Sequence, residues 1–325
     1  MTKEGSGKWD LARLLRDAPP WTGVGIVLVA MFVGLALTQD LFFTYTNLNN
    51  ILRGMAIPLL MAIGSTFLLT TGMIDLSIGS MLALGTMILV GLLSLGIPGW
   101  LAVVGTMVAC ALLGGGLNGV LIAKAKLSFF VVTLGTLALF RSAAQIPTNG
   151  LSVQLPANGD LVSWLGDGRV GQVSVPVVLS LSLLLLAILV ARRTTFGRAV
   201  FAVGGNEDAA RLAGIPVDRV RIGVFAINGL LVGLAAVVFA GRIRSASPLI
   251  GAGIELEVIA AVLLGGTSFL GGAGSMTGTL IGVLFIAVLQ NGLNLLGVQA
   301  LWQGIVTGSV LILAVWVDRL RRPGS

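Results

Sequence analysis

Long apolar runs separated by short polar segments are the feature that most constrains this chain. An α-helix needs about 20 mostly apolar residues to cross a bilayer, and ten runs are candidates for such a crossing. They are residues 22–38, 52–70, 76–95, 100–123, 128–146, 174–191, 220–241, 254–267, 275–296 and 299–317. The run at 254–267 is short, so we expect a half-helix or a tilted helix there. The pattern predicts an all-α integral membrane protein with about ten transmembrane helices.

Composition supports this class and excludes several kinds of active site. The chain is 56% hydrophobic and only 10% charged, against roughly 25% charged residues in a typical soluble domain. Its 325 residues include no His and one Cys, Cys110, which excludes Ser-His-Asp catalysis and nearly all zinc chemistry. Cys110 lies in an apolar run and is expected to be a small buried side chain. We therefore predict no catalytic residues and no metal site, and that the chain is not an enzyme.

The Lys and Arg residues predict an orientation in the membrane. With ten crossings, 15 of the 20 basic residues fall on one side, which the positive-inside rule makes cytoplasmic. The chain would then have cytoplasmic tails at 1–21 and 318–325, one transmembrane domain at 22–317, and an external polar segment at 147–173. Five arginines do not fit: Arg53, Arg141, Arg169, Arg242 and Arg244. Because the basic residues follow the topology, the net charge of +7 does not indicate nucleic-acid binding.

A polar segment on the predicted cytoplasmic side, residues 192–219, is predicted to contain a short helix at 206–213. Asn206 is a favourable N-cap, and Glu207 and Asp208 suit the positive end of the helix dipole in the first turn. Gly214 can close the helix. One interpretation is a solvated connecting helix, and the other is a docking element for a cytoplasmic partner.

Asp75 lies between two apolar runs, where an uncompensated carboxylate costs a few kcal/mol or more. It can cap the helix that follows it and accept backbone N–H groups, which is a structural role. Contact with the hydroxyl groups of a transported solute and a proton-relay role are the alternatives. A relay needs further ionisable groups, and only Glu255 and Glu257 are candidates. These two precede the eighth run, where they suit the first turn of a helix or contact Arg residues of another protein.

Four further polar residues lie in or next to apolar runs. Asn118 and Asn291, each followed by Gly, must find hydrogen-bond partners when buried. Interhelical bonding is one role for them, and lining the pathway of a transported solute is the other. With Asp75, the candidates for that pathway are Asn118, Thr133, Asn291 and Gln303.

An internal similarity is weak. TGMIDLSIGSM at 71–81 aligns with GTSFLGGAGSM at 266–276 and shares Gly-Ser-Met at its end. Transporters are often built from two related halves with discontinuous helices, and this match is compatible with that plan or with chance.

Four motifs in order extend over most of the chain, roughly residues 40–322. They are TTGMIDLSIGS, GLNGVLIAKAKLSFFVVTLGTLALFR, TTFGRAVFAVGGNEDAARLAGIPVDRVR and ELEVIAAVLLGGTSFLGGAGSMTGTLIGVLFIAVLQNGLNLLGV. On these motifs the chain resembles the membrane permeases of bacterial ABC sugar importers, the ribose, xylose, arabinose and galactose group. It departs from them at Ser128, where the family usually has a Pro, so the local geometry before the fifth run is in doubt.

The resemblance implies a type II ABC importer fold of two related halves in the bacterial inner membrane. It implies a second permease chain, as a homodimer or a heterodimer, and a periplasmic binding protein that delivers a monosaccharide, with a pentose such as ribose expected. A cytoplasmic ATPase subunit would use the ATP, because the phosphate-binding pattern G-x-x-x-x-G-K-[ST] is absent from this chain, which is expected to bind no cofactor. The short helix would be the coupling helix that fits a groove on the ATPase. The residues that this assigns to coupling are Gly204, Gly205, Asn206, Glu207, Asp208, Ala209, Ala210, Arg211, Leu212, Ala213 and Gly214.

Two alternatives stay open. A self-sufficient secondary transporter or channel would need no ATPase, although the capped helix and the scarcity of intramembrane charge argue against it. An ABC permease for a sugar alcohol, a nucleoside or a furanosyl signalling molecule would share the same motifs, because much of the selectivity belongs to the binding protein.

Overall fold

Helices account for most of the structure, a computed structural model that describes residues 19–320. Most of both predicted tails, 1–21 and 318–325, therefore lies outside the described residues. The helices are α1 (Thr22–Thr38), α2 (Tyr45–Thr70), α3 (Ile78–Ser94), α4 (Gly99–Ala111), α5 (Val120–Ala123), α6 (Phe129–Gln145), α7 (Asp160–Asp167), α8 (Val175–Arg193), α9 (Thr195–Gly205), α10 (Glu207–Leu212), α11 (Val217–Ile243), α12 (Ile254–Leu264), α13 (Met276–Leu295) and α14 (Ala300–Leu320). A π-helix, Leu112–Gly119, joins α4 to α5, and a 3-10 turn, Ile146–Thr148, follows α6.

The strands are minor and lie in the connections. They are β1 (Val153–Gln154), β2 (Arg169–Val170), β3 (Val173–Ser174) and β4 (Ser245–Ala246). They form two antiparallel pairs, β1 with β4 and β2 with β3. The β1–β4 pair ties the long segment after α6 to the end of α11.

Six helical segments among the described residues are long and apolar enough to cross a membrane. They are Tyr45–Thr70, Gly99–Ala123, Phe129–Thr148, Val175–Arg193, Val217–Ile243 and Met276–Leu295. Each of the ten predicted runs contains a helix, and α12, in the short eighth run, has only 11 residues. The class predicted from sequence, an all-α multi-pass membrane protein, is confirmed.

The long helix α11 is the centre of the bundle. It packs against α2, α3, α4, α7 and the π-helix. Glycines bring the backbones close: a Cβ added at Gly229 would lie 2.2 Å from the carbonyl oxygen of Cys110, and one at Gly114 would lie 2.4 Å from that of Phe225. Small residues serve this purpose in membranes, where helices gain little hydrophobic energy from association.

Two connections between helices lie against each other. One, residues 71–77, joins α2 to α3, and the other, residues 265–275, joins α12 to α13. The backbone N–H of Gly272 donates to the carbonyl of Thr70 at 2.9 Å, and Gly72 has φ +75°, a left-handed conformation that favours glycine. We call the end of the bundle that carries these connections together with α9 and α10 the α10 end.

The Gly-Ser-Met residues that the two connections share occupy different structural positions. Ser80 lies inside the first turn of α3, whereas Ser275 is the N-cap of α13 and accepts the N–H of Gly278 at 3.1 Å. The three shared residues therefore do not mark equivalent helix starts.

Two helices in the polar segments are not predicted from the sequence. α7 lies within 147–173 and α9 within 192–219, and both are short helices outside the apolar runs. α7 packs closely on α11, since a Cβ at Gly241 would lie 1.9 Å from the carbonyl oxygen of Val162.

Candidate functional site

The short helix α10 begins with the predicted cap. The side-chain oxygen of Asn206 accepts the N–H of Ala209 at 2.9 Å, and the N–H of Ala210 donates to the carbonyl of Asn206 at 3.0 Å. Gly214 follows the helix with φ +81°. The prediction of a capped two-turn helix is confirmed, and its role in coupling stays a prediction.

An ion-pair cluster holds α10 against the first turns of α11. The Glu207 carboxylate accepts from both terminal nitrogens of Arg221, at 3.1 and 2.5 Å, and from Arg211 at 3.1 Å. Partial burial raises the pKa of Glu207, but these guanidinium groups outweigh it and hold that pKa below its ordinary value. The helix is thereby fixed to the bundle through side chains of opposite charge.

One face of α10 is bare. Leu212 is 90% exposed, while Ala210 is 4% exposed and packs inward. The Leu212 side chain is therefore not covered by the described part of this chain.

A glycine contact connects α9 to the connections at 71–77 and 265–275. A Cβ added at Gly204 would lie 1.8 Å from the carbonyl oxygen of Thr70 and 2.7 Å from the backbone nitrogen of Gly272. A Cβ added at the next residue, Gly205, would meet nothing within 4 Å. The end of α9, immediately before α10, is therefore in direct backbone contact with the chain between the helices of the bundle.

Asp75 lies inside the bundle, where it is 3% exposed. Its Oδ1 accepts the N–H of Ser77 at 2.9 Å and the Ser77 hydroxyl at 2.5 Å, and its Oδ2 accepts the amide of Asn228 at 3.2 Å. The amide of Asn118 donates to the Ser77 hydroxyl at 3.0 Å. One carboxylate thus joins the start of α3 to α11 and to the π-helix.

Asn228 is not among the site residues predicted from the sequence. It is 0% exposed, in the middle of α11. It is followed by Gly229, so the Asn-Gly pattern that singled out Asn118 and Asn291 also occurs here and could have identified it.

Substitutions at Asp75 are expected to separate a structural role from a proton relay. Asp75→Leu leaves the Ser77 and Asn228 donors buried without an acceptor, at about 1–3 kcal/mol each, so thermal stability in detergent and the amount of chain in the membrane should fall. Asp75→Asn keeps an acceptor oxygen and should retain most of the stability and of the uptake. Loss of uptake in Asp75→Asn at unchanged stability would contradict the structural role.

The remaining predicted pathway residues lie in different places. Thr133 is 0% exposed and donates to the carbonyl of Phe129 within α6 at 2.8 Å. Asn291 and Asn47 exchange two amide hydrogen bonds, at 2.8 and 3.0 Å, between α13 and α2. Gln303 donates to Asn294 at 2.7 Å. The structure therefore places Asn291 and Gln303 near one end of α13, apart from Asp75 and Asn118.

The two glutamates of α12 point in different directions. A Cβ at Gly79 would lie 2.3 Å from Glu255 Oε2, so Glu255 lies against the first turn of α3. Glu257 is hydrogen-bonded to Gln290 of α13. Both are in the first turn of α12, as predicted.

Comparison with known proteins assigns the family. Residues 47–315 match the family described as "Branched-chain amino acid transport system / permease component". The chain belongs to this permease family. The ribose import permease protein RbsC of Escherichia coli K12 is 40% identical over 300 residues, which are 91% of this chain and 93% of that protein. RbsC of Bacillus subtilis 168 is 38% identical over 306 residues, 94% of each chain.

A third relative is named for a different sugar, xylose. The xylose transport system permease protein XylH of Escherichia coli K12 is 36% identical over 359 aligned positions, 89% of this chain and 91% of that protein. No solved structure is matched by the chain. The resemblance to sugar permeases is confirmed, and so is the prediction that the chain is a transport permease and not an enzyme.

Proposed function

We propose that this permease is the membrane subunit of an ATP-driven ABC importer that takes up a monosaccharide, with a pentose such as ribose as the substrate. The observation that carries this proposal is the identity of 36–40% to ribose and xylose permeases over about nine tenths of the chain. A cytoplasmic ATPase subunit, a periplasmic sugar-binding protein and a second permease chain complete the transporter. ATP is used by the ATPase subunit, and this chain binds no cofactor.

In this proposal the chain makes ten crossings of the inner membrane, with both termini in the cytoplasm and the α10 end facing the ATPase. The ion pairs at that end support the orientation. Asp218 lies 3.0 Å from the amino group of Lys126, 3.5 Å from that of Lys124, and 3.7 Å from the Arg211 guanidinium. Basic residues from separate connections thus meet at one end, as the positive-inside rule requires of a cytoplasmic face.

The helix α10 is the proposed coupling helix, and the coupling segment is α10 with its flanking residues, from Gly204 to Gly214. Its cap and its ion pairs with Arg221 make it rigid, so a displacement imposed on its bare face is passed to the bundle and is not absorbed locally. The contact of Gly204 with Thr70 and Gly272 gives the displacement a path to the connections at 71–77 and 265–275. These connections interrupt the helices, and interrupted helices are where alternating-access transporters bind and gate. In this proposal the chain also has the plan of two related halves that its resemblance to sugar permeases implies.

The test is uptake of a panel of labelled sugars into cells that carry this permease with its binding protein, with and without an intact ATPase subunit. Accumulation of one sugar that disappears without the ATPase is the expected result, and it names the substrate. Uptake that persists without the ATPase and collapses with the proton gradient would show a secondary transporter instead.

A further inference from the structure

Amide side chains line a cleft at the end of the bundle opposite to α10. The cleft has a volume of about 420 Å³, within the roughly 300–1,000 Å³ of small-molecule sites. Its polar lining residues are Asn47, Asn50, Gln290, Asn291, Asn294 and Arg242. On α2, the spacing of Asn47, Asn50 and Gly54 places them on one face of the helix. On α13, the spacing of Gln290, Asn291 and Asn294 does the same. The two polar stripes therefore meet along the cleft, where Asn47 and Asn291 are hydrogen-bonded to each other at 2.8 and 3.0 Å.

The floor of the cleft continues into a recess that reaches Glu257. Three residues line both the cleft and the recess: Gly54, Ala287 and Gln290. The recess is also lined by Pro58 and Glu257, which do not line the cleft. Because Gln290 is hydrogen-bonded to Glu257, a carboxylate is linked to the amides above it.

A backbone acceptor adds to this set. Pro58 has no N–H, so the carbonyl of Gly54 lacks the donor that an α-helix normally supplies from four residues on. Gly54 has no side chain to cover this carbonyl, and a Cβ added there would meet nothing within 4 Å. Gly54 is exposed and lines both the cleft and the recess, so the residue is accessible from both.

Such a surface is not suited to hydrocarbon. Polar groups at membrane depth lie against protein or a water-filled cavity, because lipid cannot hydrogen-bond them. Amide side chains donate to and accept from hydroxyl groups, and a carbonyl accepts from them. The charged groups are of both signs, with Arg242 in the cleft lining and Glu257 in the recess. The chemistry thus suits a neutral molecule that carries several hydroxyl groups.

We propose that this cleft between α2 and α13 is the external entrance through which the sugar passes, with its hydroxyls exchanging hydrogen bonds with the amides, the Gly54 carbonyl and Glu257. The inference rests on the proposed function, which makes this end external. One residue that the sequence predicted for the pathway, Asn291, lies at this entrance. The residues added to the pathway are Asn50, Gly54, Glu257, Gln290 and Asn294.

The experiment uses a thiol placed in the cleft. The single natural thiol, Cys110, is buried, so it contributes little background. Uptake by Gly54→Cys before labelling, in spheroplasts supplied with the sugar-loaded binding protein, is the reference rate for this variant. A membrane-impermeant methanethiosulfonate reagent added from outside should then lower uptake at least tenfold, and the transported sugar should slow this labelling several-fold.

The matched control is Gly91→Cys, at another helical glycine whose added Cβ meets nothing within 4 Å, on α3 and outside the cleft. Uptake by this variant should be unchanged by the reagent. The assignment is overturned if Gly54→Cys is unlabelled, if it is labelled without loss of uptake, or if both variants lose uptake equally. Absence of ATP-dependent uptake by the unsubstituted transporter would overturn the proposed function as well, so the two failures are distinguishable.

A second pair of variants tests the requirement for amides. Asn50 is exposed on the cleft wall, so Asn50→Leu should fold normally and lower the uptake rate several-fold, while Asn50→Gln should restore it. Equal rates in Asn50→Leu and the unsubstituted chain would show that the cleft wall does not meet the sugar.

Discussion

Replacing Ala210 with proline is expected to abolish ATP-driven uptake while the chain still inserts into the membrane. Proline cannot donate the hydrogen bond that the Ala210 N–H now makes to the carbonyl of Asn206, and its ring clashes inside a helix, at a cost of about 3 kcal/mol or more. That is at least a hundredfold in the equilibrium between helix and coil, and α10 has only six residues. Labelled-sugar uptake and stimulation of the ATPase should both fall to background.

The control for this variant is Ala210→Ser, which keeps the backbone N–H and a small side chain at the same buried position. It should retain most of the uptake. Membrane levels of both variants should match the unsubstituted chain. If Ala210→Pro still transports and still stimulates the ATPase, α10 is not the coupling element.

Replacing Gly204 with alanine is the second change with a large expected effect. The added Cβ would lie 1.8 Å from the carbonyl oxygen of Thr70, so α9 must move by more than 1 Å, on the order of a full atomic contact. Overpacking of this kind typically costs about 1–3 kcal/mol, and the strain falls where α9 touches the two connections. We expect uptake to fall at least tenfold, because movement of α10 no longer reaches these connections.

Gly205→Ala is the matched control, because an added Cβ there meets nothing within 4 Å. Its uptake should stay within about twofold of normal, as expected for a surface substitution without a clash. Copurification of the ATPase with Gly204→Ala would show that docking survives and that transmission has failed. Equal uptake by the two variants would exclude the Gly204 contact from the mechanism.

The capped helix α10 shows which structural features can be predicted from local sequence. Asn206, the acidic first turn and Gly214 are consecutive in the chain, and capping involves only groups a few residues apart. The helix could therefore be predicted with its cap. Its ion pair with Arg221 could not, because that contact depends on how α11 enters the bundle.

Asp75 shows the opposite case. The sequence indicated a buried carboxylate satisfied by backbone, and the structure adds Asn228, which is 153 residues away. Partners so distant are set by which helices pack together, and a single sequence carries no direct record of that packing. The helix α7 was missed for the same reason, since its stability comes from packing on α11 and not from an apolar run of its own.

The sequence by itself determined the membrane class, the apolar runs and the capped helix, since each follows from hydrophobicity or hydrogen bonding over a few neighbouring residues. Only the tertiary structure decided that Gly204 touches Thr70, that Asp75 meets Asn228, and that the amides of α2 and α13 line one cleft. The physical reason is that these contacts join residues far apart in the chain, through close packing that glycines permit and that no local pattern specifies.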